Sequence, residues 1–504
     1  MAKKFYITTP IYYPSGDLHL GHVYSTVSAD TLKRIKQQQG YDVLFLTGTD
    51  EHGEKIQEKA ESLNVEPQLY VDQMADKIQD LWHLMDVQYD IFSRTTNMFH
   101  VKQVQKYFKQ LQENGDIYLG SYEGLYCVSC ETYVTNSQAV DGKCCPDCGK
   151  ELKTVTEETY MFKCSKYADR VKEMLENDEI LIEPASRKNE LINSFFANGI
   201  PDLAISRTNF KWGIPVPGDD NHVIYVWLDA LTNYITMLEE RSDMDYWPAD
   251  VQLLGKEIIR FHAIYWPMIL LALGLPMPKK LFAHGWLLMD GEKMSKSKKN
   301  VIYPQFLVEN YGLDAVRYFL LREIPFGNDG VFTPKAFVQR FNADLANELG
   351  NLVSRSISMA NKYFEGQVTN KGVKDHSISD LNEAYNKLVV SRETFIDNLE
   401  FSKDLEAIWN FIHLTNKFID LTTPWVLAKD ESEQDHLNTV LYTLLLNVKR
   451  IGQLVYPYMP QSGSYIDENV ALDNNTISVP ADPKILFSRL DEEVEVERIY
   501  DNMK

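Results

Sequence analysis

Apolar residues near the N-terminus follow first a strand pattern and then a helix pattern. The β-branched and aromatic run FYITTPIYY, residues 5–13, predicts a strand, and a Pro-Ser-Gly-Asp turn follows it. Helical spacing then continues to Gly40, a residue suited to a helix C-terminus, through Leu20, Val23, Val27, Leu32 and Ile35. The run DVLFLT, residues 42–47, predicts a second strand before another helical stretch. This order is typical of a parallel α/β sheet.

The α/β pattern is interrupted once and then gives way to helices. Residues 116–225 contain mixed short elements and are interpreted as an insertion, and the α/β pattern resumes over residues 226–339. From residue 340 helical spacing dominates, with one apolar face formed by Leu405, Ile408, Ile412, Thr415 and Ile419. We therefore expect an α/β protein with a Rossmann-like parallel sheet in two halves, 1–115 and 226–339, an insertion, and an all-helical domain at 340–504.

Composition excludes several classes of protein. Of 504 residues, 44% are hydrophobic and 24% charged, which argues against disordered, collagenous and disulfide-scaffold chains. The longest apolar run, residues 268–275, is far shorter than the roughly 20 residues that span a bilayer. The N-terminus lacks the apolar core of a signal peptide. These features predict a cytoplasmic protein with no membrane partner.

Net charge is −21, so a polyanionic partner would need a local basic patch. Residues 279–300 supply one, with six lysines against Asp290 and Glu292. Any nucleic-acid contact is expected there first.

Four of the six cysteines form two C-x2-C pairs separated by fourteen residues: Cys127, Cys130, Cys145 and Cys148. Two such pairs in a cytosolic chain predict one structural zinc ion, because four thiolates leave no open coordination position. The alternative is four reduced cysteines in a loop. Cys144 adjoins Cys145 and obscures the register, whereas Cys164 is predicted to be a buried thiol.

The motif His19-Leu20-Gly21-His22 opens the first predicted helix directly after the first strand. Spacing of three places both imidazoles on one face, where a helix N-terminus already attracts anions, and Gly21 allows a nucleotide to approach the backbone. The motif predicts a phosphate site, with a surface histidine pair or a partial metal site as alternatives.

A second motif, Lys293-Met294-Ser295-Lys296-Ser297, lies in the basic patch. Mobile ammonium groups beside hydroxyls can stabilise the charge that builds on a departing pyrophosphate. By itself the segment could equally be a lysine-rich surface loop. The combination of HLGH after the first strand and KMSKS after the last resembles the two signatures of class I aminoacyl-tRNA synthetases.

Within that class the chain resembles methionyl-tRNA synthetases over nearly its whole length. The segments TTPIYYPSGDLHLGH, FLTGTDEHG, the cysteine insertion, VWLDALTNY, FHAIYWP, HGWLLMDGEKMSKS and a late Pro-Trp follow that family's order. The leucyl, isoleucyl and valyl enzymes carry a large editing domain for which this chain has no room, and the cysteinyl enzyme is shorter. The resemblance implies a Rossmann-like catalytic domain with a zinc-knuckle insertion, a stem-contact region within residues 226–339, and a helical anticodon-binding domain.

The resemblance also implies residue roles. Asp50 is expected to receive the methionine ammonium, and the side-chain pocket is expected to comprise Ile11, Tyr13, Trp227, Ala230, Tyr234, His262 and Trp266. For the three aromatic residues at 227, 234 and 266, ordinary core packing remains open. ATP is expected to contact His19, Gly21, His22, Gly255, Glu257, Lys293 and Lys296, of which the histidines and lysines are the catalytic residues. Glu257 stands where some family members have Asp.

The expected reaction has two steps. L-Methionine attacks ATP, with magnesium bridging the phosphate oxygens, to give methionyl-adenylate and pyrophosphate; the 3′ end of initiator or elongator tRNA(Met) then takes the methionyl group. Anticodon contacts are expected from Asn351, Arg355 and Trp425, although Trp425 could instead be a core aromatic at a helix junction. The chain is expected to act as a monomer with one zinc ion.

Two other functions compete with this interpretation. Small-molecule nucleotidylyltransferases share an H-x-G-H turn and release pyrophosphate, but their domain is smaller and lacks KMSKS. A noncatalytic RNA-binding protein could keep this fold, although the intact His19, His22, Asp50, Lys293 and Lys296 argue against a decayed active site.

Overall fold

The computed structural model describes residues 2–134, 139–146, 148–294 and 300–503. The chain divides into two compact units, each described separately below. The first contains residues 1–18, 36–83 and 87–284, and the second contains residues 19–35, 84–86 and 285–504. The four domain ranges expected from the sequence stay a prediction.

Strands and helices alternate through the first unit and helices dominate the second. The strands are β1 (Lys4–Tyr12), β2 (Asp42–Thr49), β3 (Ile91–Arg94), β4 (Ile117–Cys127), β5 (Thr132–Val134), β6 (Lys153–Phe162), β7 (Leu181–Glu183), β8 (Leu203–Ala204), β9 (Ser206–Arg207), β10 (Pro215–Val216), β11 (Asp219–Ile224), β12 (Val251–Gly255), β13 (Lys280–His284), β14 (Leu287–Met289), β15 (Glu292–Lys293), β16 (Gly330–Phe332), β17 (Gln367–Thr369), β18 (Ala471–Asp473) and β19 (Thr476–Ser478). The helices are α1 (Leu20–Gln38), α2 (Glu54–Ser62), α3 (Pro67–Leu84), α4 (Met98–Glu113), α5 (Ala168–Glu176), α6 (Ala185–Ser194), α7 (Val226–Arg241), α8 (Trp266–Leu273), α9 (Pro304–Tyr311), α10 (Leu313–Glu323), α11 (Pro334–Arg340), α12 (Asn351–Phe364), α13 (His376–Asp397), α14 (Phe401–Thr422), α15 (Pro424–Leu427), α16 (Gln434–Val455), α17 (Pro460–Asn469) and α18 (Glu492–Asp501).

A six-stranded parallel sheet forms the centre of the first unit, in the order β3-β2-β1-β12-β13-β7. Residues Tyr6, Ile7, Phe45, Leu46 and Leu253 are fully buried in its strands. Near-continuous apolar strands of this kind are expected when both faces of a parallel sheet are covered. The edge strand β7 comes from within residues 116–225, so part of the predicted insertion completes this sheet.

The other strands of residues 116–225 pair antiparallel, and helices α5 and α6 also lie in this segment. Strands β4 and β6 pair over ten residue positions, from Ile117 opposite Phe162 to Tyr126 opposite Lys153, with β5 and β8 at the two edges. The hairpin ends at Cys127, where the cysteine cluster begins.

Helices form most of the second unit. The face of α14 predicted from the sequence is confirmed, since its five residues are completely buried. The second unit also contains a three-stranded sheet in which β14 pairs with β15 and β16. None of the described helices is both long and apolar enough to cross a lipid bilayer.

The predicted N-terminal elements are confirmed with small shifts in their ends. The first strand covers residues 4–12, and the first helix begins at Leu20 and ends at Gln38. Gly40 has φ of 83°, a left-handed conformation that glycine adopts without strain and that commonly ends a helix.

Candidate active site

Three predicted site residues lie where parallel strands end. Tyr13 directly follows β1, Asp50 directly follows β2, and Gly255 is the last residue of β12. The amide of Asp50 donates to the carbonyl of Tyr12 at 3.0 Å, which ties the first two strand ends together. Because ligands of open parallel sheets bind at the carboxyl ends of the strands, the fold places these residues at the expected edge.

Asp50 carries a buried carboxylate oxygen, Oδ1, that has no hydrogen-bond partner among the described residues. Burial raises the pKa of this carboxyl well above its usual range, and the charges of Asp229, Glu131 and Glu51 raise it further. A buried acceptor without a donor is costly, so a ligand that brings a positively charged donor gains affinity here.

Helix α7 and a π-helical turn at Phe261–Tyr265 supply an aromatic wall. Trp227 is half-buried and stacks on Phe261, with ring centroids 3.7 Å apart and planes 5° apart. Ala230 and Tyr234 lie further along the same helix, both buried. Sequence reasoning missed Phe261, although its position beside His262 in an aromatic segment was an available signal.

His262 has a defined tautomer. Its Nδ1 lies 3.1 Å from the carbonyl of Ile258, which can only accept, so Nδ1 carries the proton. Its Nε2 therefore accepts from the hydroxyl of Tyr234 at 2.9 Å. Burial lowers the pKa of His262 to about 4, so the ring is neutral near pH 7.

The aromatic residues for which core packing was an alternative differ in exposure. Trp266 is fully buried and packs against Tyr234 and Trp247, with centroids 6.3 and 6.1 Å apart. Trp227 is only half-buried, as are Ile11 and Tyr13. Trp266 is thus a core residue that supports Tyr234, and direct contact between Trp266 and a ligand stays a prediction.

A buried carboxylate with two histidines also went unpredicted. Asp229 lies 2.7 Å from His52 Nδ1 and 2.7 Å from His100 Nε2, and these contacts lower its pKa despite its burial. His52 follows Asp50 by two residues, and Asp229 follows Trp227 by two. The cluster therefore joins the loop that carries Asp50 to α7. No local sequence pattern predicts it, because Asp229 lies 177 positions from His52 and 129 positions from His100.

In the second unit, the two motif histidines lie at the start of α1 with ring centroids 4.2 Å apart. The Nδ1 atom of His19 accepts from the amide of Gly21 at 3.1 Å, and the Nδ1 atom of His22 accepts from the amide of His19 at 3.2 Å. Each neutral ring therefore carries its proton on Nε2 and can donate from there. Burial, with a smaller contribution from His19, lowers the pKa of His22 well below its usual range.

Gly21 has little room for a side chain. A Cβ atom there would lie 3.0 Å from His19 Cε1. This supports the interpretation that glycine keeps the backbone of the motif accessible.

The lysine motif is only partly described. Lys293 ends β15, is exposed, and holds its ammonium 4.0 Å from the centroid of the Trp286 ring. Lys296 lies outside the described residues, and its predicted role stays a prediction. Glu257 is an exposed residue in the turn after β12, and a Cβ on Gly255 would lie 2.6 Å from its Oε1.

The four predicted zinc ligands come together. The sulfur atoms of Cys127, Cys130, Cys145 and Cys148 all lie within 4.8 Å of one another. Zn–S bonds of about 2.3 Å in a tetrahedron require sulfur separations near 3.8 Å, so this donor set fits one zinc ion. Cys144 is not part of the group, and its backbone forms isolated β-bridges with Val140 and Glu151. Cys145, not Cys144, therefore belongs to the second C-x2-C pair. Cys164 is buried as predicted.

The predicted anticodon residues lie on two helical segments of the second unit. Asn351 and Arg355 are exposed on α12, and Arg355 forms an ion pair of 3.6 Å with Asp420 near the end of α14. Trp425 follows that helix end and is 41% exposed, so it is not the core aromatic of the alternative interpretation.

Comparisons with known proteins agree in family. The family model for tRNA synthetases class I (M) matches residues 5–357. The methionine–tRNA ligase of Caldanaerobacter subterraneus subsp. tengcongensis is 53% identical over 94% of this chain and 74% of its own length. That of Clostridium acetobutylicum is 51% identical over the same shares of each chain.

Solved structures give the same answer at the level of the fold. The Mycobacterium tuberculosis methionyl-tRNA synthetase in complex with methionyl-adenylate is 38% identical, with a TM-score of 0.92 over 97% of this chain and 100% of that one. Sequence and structural similarity thus extend over nearly the whole molecule, and the chain belongs to the methionyl-tRNA synthetase family of class I tRNA synthetases.

Proposed function

We propose that this protein activates L-methionine with ATP to methionyl-adenylate and then transfers the methionyl group to tRNA(Met). The observation that carries the proposal is the buried, unpartnered Oδ1 of Asp50 at the strand ends. Asp50 also contributes to raising the pKa of Tyr234, which links it electrostatically to the aromatic wall.

Asp50 binds the α-ammonium group of methionine. The ligand supplies the donor that the buried oxygen lacks and a charge that favours the ionised carboxylate despite its raised pKa. Fixing the ammonium orients the methionine carboxylate for attack on ATP.

Trp227 with Phe261, and Tyr234 with neutral His262, surround the methionine side chain. A thioether near aromatic edges gains about 0.3–1.5 kcal/mol beyond burial. A charged imidazole would have to be desolvated beside this apolar group, so the low pKa of His262 favours methionine binding at neutral pH.

Activation forms a bond between a methionine carboxylate oxygen and the α-phosphorus of ATP, while the bond to pyrophosphate breaks. His19 and His22 donate from Nε2 to phosphate oxygens, and Lys293 and Lys296 neutralise the departing pyrophosphate. Gly255 and Glu257 bind the adenosine side of ATP. Magnesium bound with ATP would supply further charge neutralisation at the phosphates. Catalysis is positioning and electrostatics, with no dedicated general base.

In the second step a hydroxyl of the terminal adenosine of tRNA attacks the activated carbonyl and expels AMP. Initiator and elongator tRNA(Met) are recognised through Asn351, Arg355 and Trp425, where an exposed indole can stack on an unpaired base. Cys127, Cys130, Cys145 and Cys148 would hold one zinc ion, which would cross-link the insertion and take no part in the chemistry.

Amino-acid-dependent exchange of labelled pyrophosphate into ATP, without tRNA, tests the proposal. Exchange is expected with methionine and not with leucine, isoleucine, valine or cysteine. Exchange with another amino acid would refute the substrate, and no exchange with any of them would refute the activity. The Asp50→Asn variant is expected to lose exchange, because the amide has no charge to pair with the ammonium.

A further inference from the structure

The turn that follows the first C-x2-C pair contains two polar residues that are almost completely buried. Glu131 is 5% exposed and Thr132 is 2% exposed. Glu131 has φ of 49°, a left-handed conformation that costs free energy for a residue with a side chain. Such a residue persists only when surrounding contacts hold it, so these contacts indicate what the turn does.

The carboxylate of Glu131 accepts hydrogen bonds from two neighbouring segments. Its Oε1 accepts from the hydroxyl of Tyr13 at 3.1 Å and from the amide of Lys55 at 3.2 Å. Its Oε2 accepts from the hydroxyl of Tyr126, the residue before Cys127. One carboxylate thus joins the end of β1, the start of α2 and the strand that leads into the cysteine cluster.

The same turn contacts two more segments through other atoms. Tyr225 donates from its hydroxyl to the carbonyl of Glu131 at 2.6 Å, and it lies two residues before Trp227. Arg260 donates from Nη2 to Thr132 Oγ1 at 2.6 Å, and it lies two residues before His262. The segments that carry Tyr13, Trp227 and His262 therefore meet this turn at, or within two residues of, these proposed methionine contacts.

Gly53 shows how closely these groups approach. A Cβ atom there would lie 2.6 Å from the Tyr13 hydroxyl and 2.9 Å from Glu131 Oε1, and its φ of 118° already excludes most side chains. Gly53 lies three residues after Asp50, so the loop that presents the ammonium-binding carboxylate also depends on this approach.

We propose that Glu131 is a positioning residue that sets the geometry of the methionine pocket, by holding Tyr13 and the start of α2 against the cysteine-bearing insertion. The inference rests on the proposed function, because it assigns an effect on methionine. Glu131 does not itself touch substrate. Without its carboxylate, the Tyr13 hydroxyl and the Lys55 amide lose a common acceptor, and the pocket must be ordered when methionine binds.

The test uses the full-length, metal-containing protein and two substitutions at one position. Glu131→Ala is expected to raise the KM for methionine in pyrophosphate exchange by about tenfold, the effect of losing one or two net hydrogen bonds, and to leave the KM for ATP within about twofold. Glu131→Gln is expected to stay within about threefold of wild type for methionine, because its amide oxygen can accept from Tyr13 and Lys55. The dissociation constant of methionine, measured by tryptophan fluorescence without ATP, is expected to follow the same order.

A double-mutant cycle identifies the partner. If Glu131 acts through Tyr13, Glu131→Ala in a Tyr13→Phe background raises the methionine KM by much less than about tenfold. Glu123→Ala, which removes an exposed glutamate from β4, is the control and is expected to leave both KM values at wild type.

Each result decides between the two proposals. If wild type shows no methionine-dependent exchange, the proposed function fails. If wild type exchanges normally but Glu131→Ala keeps its methionine KM, or loses methionine and ATP affinity equally, the positioning role is refuted. If Glu131→Ala loses its zinc or unfolds, Glu131→Asp serves as the test variant, because its shorter side chain places the carboxylate further from Tyr13. A wild-type methionine KM in folded Glu131→Asp would then overturn the inference.

Discussion

At the scale of single residues, burial determines the protonation of the groups that face the proposed substrate. Asp50 has a raised pKa and an oxygen without a partner, and His262 has a lowered pKa and both ring nitrogens engaged. The first arrangement favours an incoming cation, whereas the second keeps the pocket neutral. A matched pair of carboxylate and neutral imidazole is suited to a zwitterionic amino acid with an apolar side chain.

His262 gives a prediction for the dependence of stability on pH. Its pKa is about 4 in the folded protein against 6.5 in the unfolded chain, so between these values the unfolded chain binds the extra proton. Stability from this group is present above pH 6.5 and is lost as the pH falls toward 4. Between pH 7.5 and pH 5, wild type is expected to lose about 2 kcal/mol more unfolding free energy than His262→Gln. Urea titrations at both pH values measure this difference, and equal losses would contradict it.

At the scale of elements, the cysteine insertion is a hairpin whose end carries a cluster of four cysteines. The sulfur positions fit a tetrahedral site, and the register excludes Cys144. The spacing of the two C-x2-C pairs was sufficient to predict the site. No local pattern indicates, however, that the turn after Cys130 contacts Tyr13 at the end of β1.

The double substitution Cys145→Ser with Cys148→Ser is expected to release about one zinc ion per chain and to lower aminoacylation through misplacement of the insertion. Cys144→Ser is the matched control and is expected to retain its zinc and its activity. Metal analysis of the purified variants measures the first effect. Full activity in the metal-free double variant would contradict a structural role.

The short helix α15 carries the second prediction at this scale. Trp425 is 41% exposed, so Trp425→Ala is expected to weaken charging of tRNA(Met) by about tenfold, the loss of one stacked base, and to leave adenylate formation unchanged. The neighbouring Val426→Ala, also at an exposed position, is expected to change charging little. An equal loss in both steps for Trp425→Ala would instead refute a role confined to tRNA recognition.

At the scale of the whole molecule, a buried ionic cluster links distant parts of the sequence within the second unit. Arg317 is fully buried and donates to Asp30 Oδ2 at 2.6 Å, to the carbonyl of Met85 at 3.0 Å and to the carbonyl of Tyr458 at 3.0 Å. Asp30 also pairs with Arg34 at 2.8 Å. Helix α1, which begins with the histidine motif, is thereby joined to residues more than 400 positions away.

Arg317→Met is expected to destabilise the protein by about 3–5 kcal/mol, because Asp30 loses a buried cation and the neighbouring acceptors lose their donor. Arg498→Met, which removes an exposed ion pair with Glu495, is expected to cost less than about 1 kcal/mol. Chemical unfolding of the two variants gives both values. Similar stabilities would show that the buried cluster contributes no more than a surface pair.

Net charge belongs to this scale as well. At −21, the chain repels a polyanion except where lysine and arginine gather, so tRNA charging is expected to depend strongly on salt. Lys293 and Arg355 are exposed, whereas Lys296 lies outside the described residues.

Features that depend on spacing within one segment could be predicted from the order of amino acids alone. The strand and helix periods and the buried face of α14 predicted their elements correctly, and the two C-x2-C pairs predicted the cysteine cluster. The HLGH and KMSKS motifs are local as well, and their roles in the chemistry stay predictions. The family follows from the order of such segments along the chain.

Contacts between residues far apart in the chain could not be predicted in this way, because they depend on tertiary packing. The contacts of Glu131 with Tyr13, of Asp229 with His52 and His100, and of Arg317 with Asp30 join positions 118 to 287 residues apart. No periodicity encodes such pairs, because they arise when separate elements pack together. The exposure of the tryptophans could not be predicted either, because it depends on the elements that cover each side chain. Trp227 and Trp425 are partly exposed, whereas Trp266 is buried.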